Sequence, residues 1–282
     1  MAPAATARAM TGKAVKVAAS FADLVRRPAD GVVVLLYHRV GAGTGGSVDQ
    51  PPALFDAQMA ELRDRVVSID DALALLRGDD GHGDGRRDRS SLPPVVVTFD
   101  DGTADFVDVA LPILVRHGVP ATLYVATQFV DDQVRHPDGA APVSWSALAE
   151  ACSTGLVTIG SHTHAHRLLD RVDGATAAAE LDRSLARLGD ELGVDAQHFA
   201  YPKALVGSPD AEKEVRARFR SAAVAGTAPN PYGHTDVYRL ARSPVQVTDG
   251  MRWFRRKAAG GMAFEDRLRR VVSRRRYAGS TT

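Results

Sequence analysis

Two carboxylates, Asp100 and Asp101, stand side by side directly after the apolar run Val95–Val97, with Gly102 behind them. Such a run reads as a strand buried on both faces, so the pair falls where a strand ends and a loop begins. Adjacent carboxylates repel each other and are costly to bury unpaired, and a cation beside them relieves both problems. Taken alone, the pair is explained at least as well by a turn at Asp101-Gly102, with Asp100 capping the next helix. A second cluster, Ile159-Gly-Ser-His-Thr-His-Ala-His166, shifts the balance: three of the nine histidines fall within five residues, again after a short apolar strand. His162 and His166 are four apart, which puts both imidazoles on one side of a helical turn as a two-point metal clamp, while His164 points elsewhere. With Asp101 they make a two-histidine, one-carboxylate set with open positions, suited to Zn²⁺, Fe²⁺, Co²⁺ or Ni²⁺ with bound water. Asp100 is then left beside the metal, free to act as a base. The plainer reading, a polar loop that happens to carry histidines, is weakened by their density.

Thr98-Phe-Asp-Asp-Gly102 resembles the first motif of the polysaccharide deacetylases with a NodB-homology domain (carbohydrate esterase family 4), and His162-Thr-His-Ala-His166 resembles their second, His-Ser/Thr-x-x-His. Phe199-Ala-Tyr-Pro202 is similar to the third motif in the form found in poly-N-acetylglucosamine deacetylases, and Leu35-Leu-Tyr-His-Arg-Val40 to the opening strand of that branch. The resemblance runs from about Val32 to Val247. It implies a distorted (β/α)7-type barrel and metal-dependent removal of an acyl group from an N-acetylated carbohydrate, with zinc as the first expectation and cobalt, nickel or iron as alternatives.

Two motifs depart from the commoner family pattern. Where Arg-x-Pro-Tyr is usual, Ala200 replaces the arginine that holds the catalytic carboxylate and Lys203 replaces the tyrosine, which leaves the orientation of Asp100 open. The segment Tyr201-Pro202-Lys203 still offers the Lys203 backbone N–H to an oxyanion, with the lysine side chain itself read as solvated. In Tyr238-Arg-Leu-Ala-Arg-Ser-Pro-Val245, similar to the closing strand, Arg242 stands where the family's general-acid histidine is usual. The resemblance then makes His38, at the end of the opening strand, the acid, and lets Arg242 either anchor substrate or orient Asp100. Hydrolysis of a linear non-sugar amide, or a degenerate carbohydrate-binding domain without turnover, are the competing expectations.

These residues need a scaffold that brings strand ends together. In a parallel barrel the loops after strand C-termini carry the chemistry. Val32–Tyr37 is an apolar strand with His38 and Arg39 at its end; position alone leaves open whether His38 is catalytic or merely bonds a rim carbonyl. Helical periods cover 53–65 and 103–117, with Pro112 kinking or starting the second and Gly118 ending it. Residues 71–76 form a helix capped by Ser68 or Asp70, 146–153 another, 173–192 a long outer helix and 209–220 a charged one. Residues 77–91 read as a surface insertion, and the loop 131–141 as one wall of the cleft. The division is an N-terminal arm (1–30), the barrel (31–250) and a basic tail (251–282). The tail reads first as a helix packed on its own domain; contact with an anionic membrane surface ranks behind, and no nucleic-acid partner is expected. The net charge of +1 says nothing about partners, and the single Cys152 excludes an internal disulfide framework. No apolar stretch approaches the ~20 residues of a membrane span, and the first residues lack the apolar core of a secretory signal, so the expected address is cytoplasmic. Oligomeric state has no readable code.

Overall fold

The computed structural model describes residues 30–78 and 92–263. The N-terminal arm up to residue 29, most of the surface insertion (79–91) and the end of the basic tail (264–282) lie outside the described residues.

Among the described residues seven strands form the expected barrel: β1 (Gly31–Tyr37), β2 (Val95–Phe99), β3 (Ala121–Val125), β4 (Val157–Ser161), β5 (His198–Ala200), β6 (Ser221–Ala225) and β7 (Leu240–Pro244). Each pairs in parallel with the next, and β7 pairs with β1 to close the ring, Val34 opposite Arg242. The seam between β4 and β5 is thin, with a single register pair, Ser161 opposite Phe199. This is where the barrel is most distorted. The short segment Asn230–Pro231 adds antiparallel to the start of β1. Gly31 lies so close to it that a Cβ there would stand 2.0 Å from the Asn230 carbonyl oxygen.

Side chains alternate across each strand. Val33, Leu35, Tyr37, Val95, Val97 and Phe99 face outward into the main core beneath the helices, where Tyr37 stacks on Phe99 at 5.4 Å and Phe99 meets Phe106 edge-on at 4.9 Å. Val32, Val34, Val96, Tyr124, Ala200, Ala223 and Leu240 face inward. Tyr124 fills the barrel because β4 yields to it at Gly160: a Cβ on Gly160 would lie 2.6 Å from the tyrosine ring.

Outside the barrel lie α1 (Pro52–Leu62), α2 (Ile69–Arg77), α3 (Leu111–His117), α4 (Thr127–Asp132), α5 (Trp145–Ser153), α6 (Gly174–Leu192), α7 (Pro209–Arg218) and α8 (Gly250–Ala258). Ile69, Ala72, Leu73 and Leu76 of α2 pack on the inward-facing residues and stop the N-terminal end of the barrel; Ser68 is its cap, accepting from the Asp71 N–H. The helix expected over 103–117 forms, but not as one regular spiral. Residues Phe106–Ala110 make a π-turn in which the Leu111 N–H reaches back to Phe106 O. Pro112 has no N–H and its ring would crowd the preceding turn, and one extra residue in the π-turn absorbs the conflict. In α6, Asp173 caps the N-terminus and Ala177, Leu181 and Leu188 are buried, as their spacing predicts. The basic tail begins as α8, with Trp253, Phe254 and Ala258 buried and Lys257 paired to Asp249 at 2.8 Å. That much of it is an outer helix of the barrel. No helix among the described residues is long and apolar enough to cross a membrane.

Candidate active site

The residues singled out by type and spacing collect at the C-terminal mouth of the barrel. β2 ends at Phe99, and the chain turns sharply through Asp101 (φ 79°) and Gly102 (φ 84°). The turn is fixed by the Ala126 N–H donating to Asp101 O and the Val143 N–H to Gly102 O. It presents Asp101 Oδ1 3.6 Å from His162 Nε2 and 3.5 Å from His166 Nε2. All three atoms lie within 4.8 Å of one another.

The two histidines converge, but not through a helical turn. Residues 162–166 are irregular, with Thr163 (φ 65°) and His166 (φ 54°) both left-handed. The Ala165 N–H donates to Glu180 on α6, and the Arg167 N–H to Thr163 Oγ1. The loop thus folds back on itself and achieves what the four-residue spacing promised by another route. His164 does point elsewhere: its Nδ1 lies 2.9 Å from Thr127 Oγ1.

The donor set fits a divalent metal. His162 Nδ1 lies 2.7 Å from Ala200 O, and a carbonyl can only accept, so that nitrogen carries a proton and Nε2 is the atom turned to the site. Burial, reinforced by the neighbouring His162, pushes the His166 imidazolium down to about 3, which keeps this ring neutral. Burial alone would raise the Asp101 carboxyl, but Arg39 first, then His38 and His166, hold it well below the usual carboxylate range. One Asp101 oxygen and the Nε2 atoms of His162 and His166 therefore face one point.

Asp100 is organised separately. Arg242 Nη1 and Nη2 donate to its two oxygens at 2.6 and 2.8 Å, and Nη1 also lies 3.3 Å from Thr98 Oγ1. Burial pushes the Asp100 carboxyl up, but Arg242 and then His162 outweigh it, leaving the group ionised below its ordinary value. The arginine that the third motif lacks is thus supplied from β7. Arg242 is fully buried with both terminal nitrogens on Asp100. Of its two readings, the orienting one is realised; it has no reach to a substrate.

His38 sits half-buried at the end of β1, its Nδ1 buried without a partner among the described residues. Burial lowers its pKa from the ordinary value, against the pull of Asp101 and Asp100. Pro202 is buried and Lys203 exposed, in a tight turn where Lys203 takes φ 54°. The lysine is solvated, as expected, and close enough to His166 for its charge to disfavour the imidazolium. Tyr201 goes the other way. Ala200 faces into the barrel, so the next side chain must face out, and the Tyr201 ring packs on Phe199 (5.0 Å) in the core beneath α6 and α7. Its side chain is structural, a correction to its placing in the substrate site.

Three residues of the site were not anticipated. Arg39 is buried, with Nη1 2.9 Å from Asp101 Oδ2 and Nη2 3.1 Å from Asp138 Oδ2. His136 is also buried, stacked on Phe129 at 4.2 Å. Arg39 lay inside the opening motif in plain view; His136 and Asp138 lie in the expected cleft wall, which has no periodicity to read.

A seven-stranded parallel barrel, carrying these histidines and an arginine-held aspartate at its mouth, is the barrel architecture of the NodB-homology kind. Residues 88–220 match the family model described as polysaccharide deacetylase. The matched stretch contains both carboxylates, both histidines and the Phe199–Pro202 motif, but neither β1 with His38 and Arg39 nor β7 with Arg242. Among solved structures, IcaB from Ammonifex degensii superposes with a TM-score of 0.67 at 25% identity, over 82% of this chain and 99% of its own. The deacetylase PplD of Streptococcus pyogenes, in complex with acetate, gives 0.64 at 20% identity over 79% and 97%. BC0361, a polysaccharide deacetylase from Bacillus cereus, gives 0.64 at 23% over 82% and 69%. No curated protein matches by sequence.

Proposed function

We propose that this protein is a metal-dependent deacetylase that hydrolyses the N-acetyl group of an N-acetylated carbohydrate. The observation that carries the reading is the convergence of Asp101 Oδ1 with the Nε2 atoms of His162 and His166, beside an aspartate held by its own arginine. A divalent ion held by those three atoms, zinc first and cobalt, nickel or iron as alternatives, would polarise the acyl carbonyl and lower the pKa of a bound water. Asp100 accepts the proton of the attacking water; it is ionised, and Arg242 fixes both its oxygens. The Lys203 N–H, on the tight turn after Pro202, serves the developing oxyanion. His38 delivers a proton to the departing nitrogen. An amide requires this step, because an amine anion is a very poor leaving group; an O-acetyl ester requires it less.

The test is elemental analysis of the purified protein beside His162→Ala, with acetate release from N-acetylglucosamine oligomers assayed on both. One equivalent of transition metal, lost together with acetate release in the variant, supports the reading. No metal under metal-replete conditions overturns it, and metal without acetate release overturns the choice of substrate.

A further inference from the structure

Arg39 follows His38 at the end of β1, and its side chain is only 3% exposed. A buried guanidinium is costly unless its charge is matched. Here it is matched twice, by carboxylates from different loops: Asp101 after β2 and Asp138 between α4 and α5. That second loop is tied to the same turn again by the backbone: the Ala104 N–H donates to Ala141 O, and the Val143 N–H to Gly102 O, the residue after Asp101. The turn needs such support. Asp101 carries a side chain at φ 79°, a conformation that persists only where its surroundings over-determine it.

We propose that Arg39, anchored by Asp138, is the positioning residue for Asp101: it takes up Oδ2, so that Oδ1 alone is presented between His162 and His166. The inference rests on the reading of Asp101, His162 and His166 as metal ligands. Its chemistry requires arginine. Two nitrogens of one rigid planar fork reach two carboxylates at once, whereas a lysine offers a single point charge. The loop 133–142 is thereby coupled to the metal site, and a change at Asp138, outside the donor set, is felt by the metal.

Demetallated full-length protein, titrated with Zn²⁺ against a chromophoric chelator, tests this without reference to turnover. Arg39→Lys keeps the charge and removes the fork, so orientation is tested with the electrostatics held. It weakens Zn²⁺ binding roughly 10–100-fold, the usual effect of losing a partner that orients a ligand. Asp138→Asn weakens binding in the same direction by less, and the double variant is no weaker than Arg39→Lys, because Asp138 acts through Arg39. An Arg39→Lys affinity within twofold of the wild type overturns the inference. Should Arg39→Lys fail to fold by circular dichroism, Asp138→Asn, whose side chain is 38% exposed, decides by the same criterion. The two layers fail differently: a wild type that takes up no Zn²⁺ removes the metal reading and this inference with it, whereas one equivalent bound equally by wild type and variants removes the inference alone.

Discussion

Replacing Arg242 by Met keeps most of the side-chain volume and deletes the charge. In the wild type the guanidinium is wholly inaccessible and Asp100 nearly so, with two hydrogen bonds of 2.6 and 2.8 Å between them. After the change, the Asp100 carboxylate stays buried with its main counter-charge gone. Removing one partner of a buried pair costs about 3–5 kcal/mol, most of it the unmatched charge left behind. For a domain of this size each kcal/mol lowers Tm by about 2–4 °C, so the expected loss is about 6–20 °C. The decisive measurement is a double-mutant cycle in urea, with chelator present so that metal binding does not contribute. Asp100→Asn removes the charge that Arg242 matches but leaves the guanidinium buried, so each single variant is costly. The pair Asp100→Asn/Arg242→Met removes both charges and costs clearly less than the sum of the two. Additivity within about 0.5 kcal/mol, or an Arg242→Met loss below about 1 kcal/mol, refutes the claim that Arg242 exists to hold Asp100.

Three further outcomes follow from the geometry. His198, buried at the opposite end of the barrel, faces Ser221 Oγ (2.9 Å) and Asp70 (3.5 Å), with Arg220 beside Asp70, and burial lowers its pKa despite that carboxylate. A histidine whose folded-state pKa lies below the unfolded ~6.5 contributes stability that is complete above that value and is lost as pH falls towards the folded one; urea midpoints at pH 7.5 and 5.5 separate more in the wild type than in His198→Gln. Gly160→Ala drives a methyl group into the Tyr124 ring (2.6 Å) and against the His198 carbonyl oxygen (2.8 Å) and costs about 1–3 kcal/mol by overpacking, read as a lower urea midpoint; Tyr124→Leu in the same chain recovers only the ring's share. His38→Ala depresses acetate release from an N-acetyl substrate roughly 10²–10⁴-fold while sparing an activated O-acetyl ester; equal losses on both substrates would remove His38 as the acid.

What the sequence makes legible is what is local. The barrel strands are short apolar runs with breakers between them, and Asp100-Asp101 and His162-x-x-x-His166 each sit at the end of one, so strands and donor set follow from neighbours along the chain, while the barrel itself is what the resemblance of those motifs implies. What it hides is set by closure and by loop conformation. The two histidines meet through left-handed backbone at Thr163 and His166, which no periodicity predicts. Tyr201 shares a motif with Pro202 yet faces away from the site, because strand alternation and not motif membership sets the direction of a side chain. Arg242 lies 142 positions from the aspartate it holds, and the choice between anchoring a substrate and orienting Asp100 required the ring to be closed.

The same closure changes what the adjacent carboxylates mean. Their repulsion suggests a cation, and a metal is one solution, but the chain supplies two of its own. β1 pairs with β2 on one side and with β7 on the other, so an arginine at the end of β1 and another on β7 reach the two aspartates after β2 from different directions. Arg39 takes Oδ2 of Asp101 and Arg242 takes both oxygens of Asp100. The paired charges therefore do not by themselves demand a metal. What favours the proposed metal is the convergence of His162 and His166 Nε2 on the one Asp101 oxygen that Arg39 leaves over. The division also explains how neighbouring residues of one type take different work. Asp100 has both oxygens hydrogen-bonded to a guanidinium, which suits the proposed base, whereas Asp101 has one oxygen restrained and one left over, which suits the proposed ligand.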